Sequence, residues 1–142
     1  MAITSAVCSS FKQQVLVGTH NLTASSGNSF KLALYTSSAT LGAASTAFVT
    51  TGQSSGTNYT SGGNALTNIT PVLSGTTAVV DFADLTFGTA TVKARGCMIY
   101  NDTNADKAVC IIDFGADKTS TAGDFTVVFP SPTATGAIIR LA

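Results

Sequence analysis

The chain has 142 residues and no net formal charge, with seven basic residues balanced by seven acidic ones. Charged residues make up only 10% of it, against about 25% in typical soluble domains, while Ser and Thr supply about a quarter. Nucleic-acid binding needs clustered Lys and Arg, and the closest pair, Lys93 and Arg95, alternates along one strand, so no nucleic-acid partner is expected. No apolar run approaches the ~18 residues of a membrane span, and no basic-then-apolar leader opens the chain, so neither a membrane nor secretion is expected.

All seven acids are Asp, which favours turns and caps where Glu favours helices. The expected class is therefore all-β, in a single domain over 1–142. The one helix candidate spans 4–17. Thr4 or Ser5 is placed to cap it, Val7, Phe11 and Val15 form an apolar stripe with Cys8 and Leu16 beside it, and Gly18 closes it. Such a helix is expected to cover an open end of the sheets. His20, the only histidine, follows without metal-binding or acid–base partners nearby in sequence and reads as structural. A polar connection, Asn21–Ser29, leads to a strand at Phe30–Thr36 that places Phe30, Leu32 and Leu34 on one face.

Residues 37–63 are dominated by Ser, Thr, Gly and Ala, with Tyr59 the only ionisable side chain. Ala47–Thr50 fits a short strand and Gly52–Gly63 a long, mobile loop. Gly62-Gly63 lacks the Lys-Ser/Thr of a phosphate loop, so contact rather than catalysis is expected here. Ala65–Leu73 and Thr77–Phe82 read as strands about a Ser74–Gly75 turn, with Pro71 at an edge or bulge. Ala83–Thr86 turns the chain into a hairpin at Ala90–Gly115. Its arms are Thr91–Tyr100 and Lys107–Phe114, and its loop is Asn101–Asp106. Symmetric closure places Tyr100 opposite Lys107 and Cys97 opposite Cys110. A polar loop at Asp117–Gly123, a strand at Asp124–Phe129, a connection at Pro130–Thr135 and a strand at Gly136–Leu141 complete the chain. About eight antiparallel strands after one helix suggest a two-sheet sandwich, jelly roll favoured and an Ig-like order also open. An echo between AVVDFADLT at 78–86 and CIIDFGADKT at 110–119 reads as coincidence in so β-rich a chain.

No catalytic, cofactor-binding or metal-ligating set is expected. Asp102, Asn104 and Asp106 match the opening of a calcium loop, but Lys107 stands where that loop needs Gly and Asp113 where it needs Glu. Asn and Asp also suit a plain hairpin turn. The acid pairs Asp81/Asp84 and Asp113/Asp117 sit near strand ends, with no sign of a shared pocket. Sequons at Asn21, Asn58, Asn68 and Asn101 are what a Thr-rich chain produces. Cys8, Cys97 and Cys110 read as buried free thiols of a protein made in a reducing cytoplasm, with a Cys97–Cys110 bridge as the alternative.

Several segments together carry a resemblance: CSSFKQQVLVGTHNL, SFKLALYTSSATLGAASTAF, GTNYTSGGNAL, VVDFADLTF, ARGCMIYN, AVCIIDFGADKTSTAGDFTVVFP and AIIRLA. In this order, and over nearly the whole chain, they resemble small virion structural proteins of tailed bacteriophages, similar to jelly-roll capsid cement or decoration proteins. One departure lies at Thr50–Ser55, where Thr51-Gly52-Gln53 stands in place of an Asn-Glu pair. The resemblance implies a place on the outer capsid surface after synthesis in the host cytoplasm, with the major capsid protein as partner. It also implies self-association as a dimer or trimer, which low charge makes easy. The rival reading is a tail-associated or host-receptor-binding sandwich. An enzyme acting on host glycans needs an acid pair that is not evident.

Overall fold

The computed structural model describes residues 2–142. In chain order these form β1 (Ala6–Val7), α1 (Ser9–Leu16), β2 (Phe30–Tyr35), β3 (Gly56–Thr57) and β4 (Asn64–Ala65). There follow β5 (Asn68–Ser74), β6 (Thr77–Phe82), β7 (Leu85–Asn101), β8 (Lys107–Val127) and β9 (Ile139–Leu141). The protein is an all-β antiparallel sandwich with one N-terminal helix. One sheet runs β1-β8-β7-β2-β4, with β3 also on β7; the other runs β5-β6-β9.

The hairpin is longer than its apolar arms suggest. β7 and β8 stay paired from Asn101↔Lys107 out to Leu85↔Val127. The predicted turn at Ala83–Thr86 and the predicted loop at Asp117–Gly123 are therefore partly and wholly strand. Their Thr, Ser, Asp and Gly residues read as breakers, but opposite them Val92 and Ala94 are buried and hold the ladder together. What Gly115 (φ 80°) and Ala122 (φ 47°) mark is bulging, at register shifts within Ala94–Gly96 and Ala90–Val92.

Register at the tip also departs from symmetric closure. Tyr100 pairs with Ala108 rather than Lys107, and a bulge then places Ile99 opposite Cys110 and Cys97 opposite Ile112. The cause lies in the turn. Ala105 and Asp106 are left-handed (φ 56° and 54°), and Asn101 Oδ1 accepts the backbone N–H groups of Thr103 and Asn104. Cys97 and Cys110 thus lie diagonally on one face, and all three cysteines are free and buried.

The helix begins at Ser9, not at residue 4. Ala6 and Val7 instead pair with Ile111 and Cys110 on the outer edge of β8. The N–H of Thr4 goes to Leu41 of the 37–63 segment and that of Cys8 to Val109 of β8, so these elements supply partners that a first helical turn lacks. Ser5 Oγ accepts the N–H of Asp113, while the N-cap residue, Cys8, makes no side-chain cap bond.

Ala65–Leu73, read as one strand, is divided between the sheets: β4 pairs with β2, and β5 with β6. Pro71 sits at the register shift between Ile69 and Val72 on the edge strand β5, where a missing N–H does least harm. The 37–63 segment is not a loose loop. Thr36 and Ser54 N–H groups bond Gly52 and Leu34 carbonyls, Ser54 Oγ donates to Lys93 O, and Tyr35 and Tyr100 hydroxyls donate to Val49 and Gly62 carbonyls, each at 2.6 Å. Ala47–Thr50 forms no strand beyond a bridge from Ala47 to Lys107.

This wrapping explains why β2 and the inner half of β7 are buried on both faces. Phe30, Leu32 and Leu34, with their partners Asn101, Ile99 and Cys97, face one way. There Phe30 meets Phe82 of the small sheet with ring centroids 5.9 Å apart, and Phe82 meets Phe129 at 5.9 Å. The opposite face carries Tyr35 and Tyr100, and Phe48 of the 37–63 segment stacks on Tyr100 at 4.8 Å. Each fully buried aromatic of this kind contributes about 1.5–3 kcal/mol relative to exposure.

Candidate functional site

The tip of the hairpin gathers side-chain hydrogen bonds from α1, the 19–29 connector and the turn. His20 lies against Phe11, with ring centroids 4.7 Å apart, and is buried along with Asn101. His20 Nε2 is 2.9 Å from Gln14 Oε1, and its Nδ1 is 3.0 Å from Asn101 Nδ2. Asn101 Nδ2 also donates to Asn28 Oδ1 at 3.0 Å. Burial lowers the His20 pKa, and the Lys107 charge pushes the same way. The sequence places a structural histidine at 20 but does not reveal Asn101 as its partner, 81 residues away. Asn101 reads as a turn former and a sequon, and no local pattern joins it to His20.

The three calcium-loop residues have other engagements. Asp102 pairs loosely with Lys31 at 3.8 Å, and Asn104 Nδ2 donates to Thr19 O at 2.6 Å. Asp106 occupies the left-handed end of the turn. Among the described residues, no three His, Cys, Asp or Glu side chains gather as a metal site.

The acid pairs are likewise split among separate partners. Asp84 Oδ1 accepts the N–H of Phe129 at 2.9 Å. Asp113 accepts from Gly115 N and from Arg95 Nε, and these bonds hold its carboxyl below the usual range. Asp117 pairs with Lys93 at 3.1 Å. Asp113 and Asp117 thus each have their own cation across the hairpin, and neither is arranged to share a proton with the other. Lys93 and Arg95 are the two cations used. Exposed pairs of this type add little stability.

Desolvation makes the thiols poor nucleophiles, since only the thiolate reacts. It pushes Cys8 up to about 11 and Cys97 up to about 12, and it drives Cys110 well above its ordinary value. The expected result in Ellman titration at pH 8 is no prompt reaction of the native protein and three thiols once unfolded without reductant. Fewer than three in the unfolded chain is the outcome that reinstates a bridge.

Two surface depressions remain. A groove of about 440 Å³ runs along β8, lined by Phe114, Phe125 and Phe129, with Lys118 and Asp124 also in its lining. On the edge away from β7, β8 has no strand partner but β1 among the described residues, and the bulges at Gly115 and Ala122 blunt that edge. A second depression of about 700 Å³ is lined by small residues, among them Ala2, Thr4, Gly42, Ala43 and Ser45, and holds no titratable group. Neither depression is lined by a His or Cys side chain. Compared with known proteins, the chain matches no protein-family model, no curated protein and no solved structure.

Proposed function

We propose that the protein is a non-enzymatic virion structural protein of a tailed bacteriophage. In this reading it is a capsid cement or decoration protein that binds the major capsid protein shell and stabilises it. The carrying observation is how the polar groups are used. The 37–63 segment is bonded onto the large sheet and the carboxylates Asp113 and Asp117 are each paired within the β7–β8 hairpin, and the exterior is charge-poor and rich in exposed Ser and Thr. Such a surface suits extended contact with another protein. The sequence resemblance to virion proteins points the same way and adds the location, the outer capsid surface.

Flat polar contacts are individually weak, but a protein that touches two or three shell subunits at once gains from effective concentration. Self-association as a dimer or trimer on the shell multiplies the same gain. The tail-associated or receptor-binding alternative rests on one feature, the Phe-lined groove beside β8, whose shape favours a ligand over a flat shell. Adding the purified protein to particles that lack it separates the two. Cement is expected to bind the shell saturably and to raise resistance to heat and osmotic shock. Label confined to the tail, or particles equally resistant without the protein, defeats the cement reading.

A further inference from the structure

The polar cluster at the hairpin tip is built so that one protonation state of His20 fits it. Asn101 cannot turn its amide, because its Oδ1 accepts Thr103 N at 3.1 Å and Asn104 N at 3.2 Å. Its Nδ2 therefore faces His20, and Nδ1 of the ring must accept. Nε2–H then donates to Gln14 Oε1, which fixes the neutral tautomer. Adding a proton places an N–H against an N–H₂ in a buried site, with no acceptor to replace the lost bond.

The charged groups on the surrounding elements offer no compensation. They are Lys12 on α1, Lys31 on β2, and Asp102, Asp106 and Lys107 at the turn. Lys31 is engaged with Asp102, and the charge felt at the ring is that of Lys107, which opposes protonation. The same cluster bonds α1 and the connector after it to the tip, in addition to the buried contacts of Phe11 and Leu22. Gln14 belongs to α1; Thr19 O and Asn28 Oδ1 of the connector accept from Asn104 and Asn101; Ser29 N donates to Thr103 Oγ1.

We propose that His20, with Gln14, Asn28 and Asn101, forms an acid-sensitive latch. It clamps α1 and the 19–28 connector to the hairpin tip at neutral pH and releases them on acidification, while the β7–β8 sheet stays folded. The sheet is spared because its own buried ionisable groups, the thiols and tyrosine hydroxyls, stay neutral throughout that range. The latch is a property of the chain alone and does not depend on the capsid assignment.

Linkage fixes the direction. A histidine whose closed-state pKa lies below the ordinary ~6.5 binds fewer protons closed than open, so closure is complete above that pH and weakens as pH falls through it. The open-to-closed ratio is expected to rise up to about tenfold per pH unit until the closed-state pKa is reached. Hydrogen exchange on the full chain, corrected for intrinsic rates, tests this between pH 7.5 and 4.5. Protection at 9–20 and 102–106 is expected to fall while 97–99 hold. His20→Gln, which cannot titrate, is expected to flatten that dependence. Because the chain has a single histidine, the wild-type ring also reports its own pKa by proton NMR, whatever the variant's folding. A pKa at or above 6.5, unchanged protection at low pH, an equal loss across β7–β8, or an unaltered response in folded His20→Gln overturns the latch.

Discussion

Gly63→Ala is expected to destabilise the protein by more than about 4 kcal/mol, a size reserved for a few named mechanisms. Two of them meet at this residue. Gly63 has φ 75°, and a Cβ built there lies 1.8 Å from the carbonyl oxygen of Leu32 and 2.6 Å from its carbon. Those are backbone atoms of β2, held between Asn64 and Ile99 in the sheet, so neither side has room to yield. Gly75→Ala is the control. Its φ is 62° but nothing lies within 4 Å, so only the left-handed strain of about 1–2 kcal/mol applies. Urea denaturation of both variants checks the contrast, and for a chain of this size the Gly63 loss corresponds to a Tm drop on the order of 10 °C. Similar losses for the two variants mean that the 53–63 segment does not press against β2 in solution. The outcome bears on function too, since this segment forms much of the hydroxyl-rich exterior.

Phe82→Ala is expected to cost about 3–5 kcal/mol, the range for deleting a buried aromatic. Phe82 is 2% exposed and joins both sheets, touching Phe30 of the large sheet and Phe129 beyond β8. Its removal opens a cavity at the junction, and the side with fewer supports yields first. The small sheet has three strands and contributes few residues to the common core, chiefly Val80, Phe82 and Ile139. Exchange protection is therefore expected to be lost over 68–82 and 139–141 before it is lost in β7 and β8. Phe82→Leu, which keeps most of the volume, should cost less than about 1.5 kcal/mol. A loss below 1 kcal/mol for Phe82→Ala, or uniform loosening of both sheets, contradicts this account of the junction.

Local sequence signals reach only as far as contacts between residues near one another in the chain. The β5–β6 hairpin was legible because Gly75 and the flanking alternation act locally, and Pro71 announces its own bulge by lacking an N–H. Helix α1 was legible in its stripe but not in its start. Val7 serves a strand edge as well as a helical face, and only the open edge of β8 decides between them. The tip cluster was legible at His20 alone. Asn101 is a turn residue to any local test, and its role depends on an amide orientation set by Thr103 and Asn104 and used by a ring far away in sequence.

Composition and period by themselves determined the class: an all-β chain with Asp as its only acid, one short helix, little charge and strands set off by turn residues. They determined it because turn chemistry and alternation are local properties of the backbone. Only the tertiary structure decided that 37–63 is a cover, that β7 and β8 run unbroken through a polar stretch, and that Cys97 stands diagonal to Cys110. Ser, Thr, Gly and Ala are small and weakly polar enough to lie either in solvent or against a sheet. Which of these they do is settled by partners distant in sequence, through packing and hydrogen bonds that no local pattern encodes.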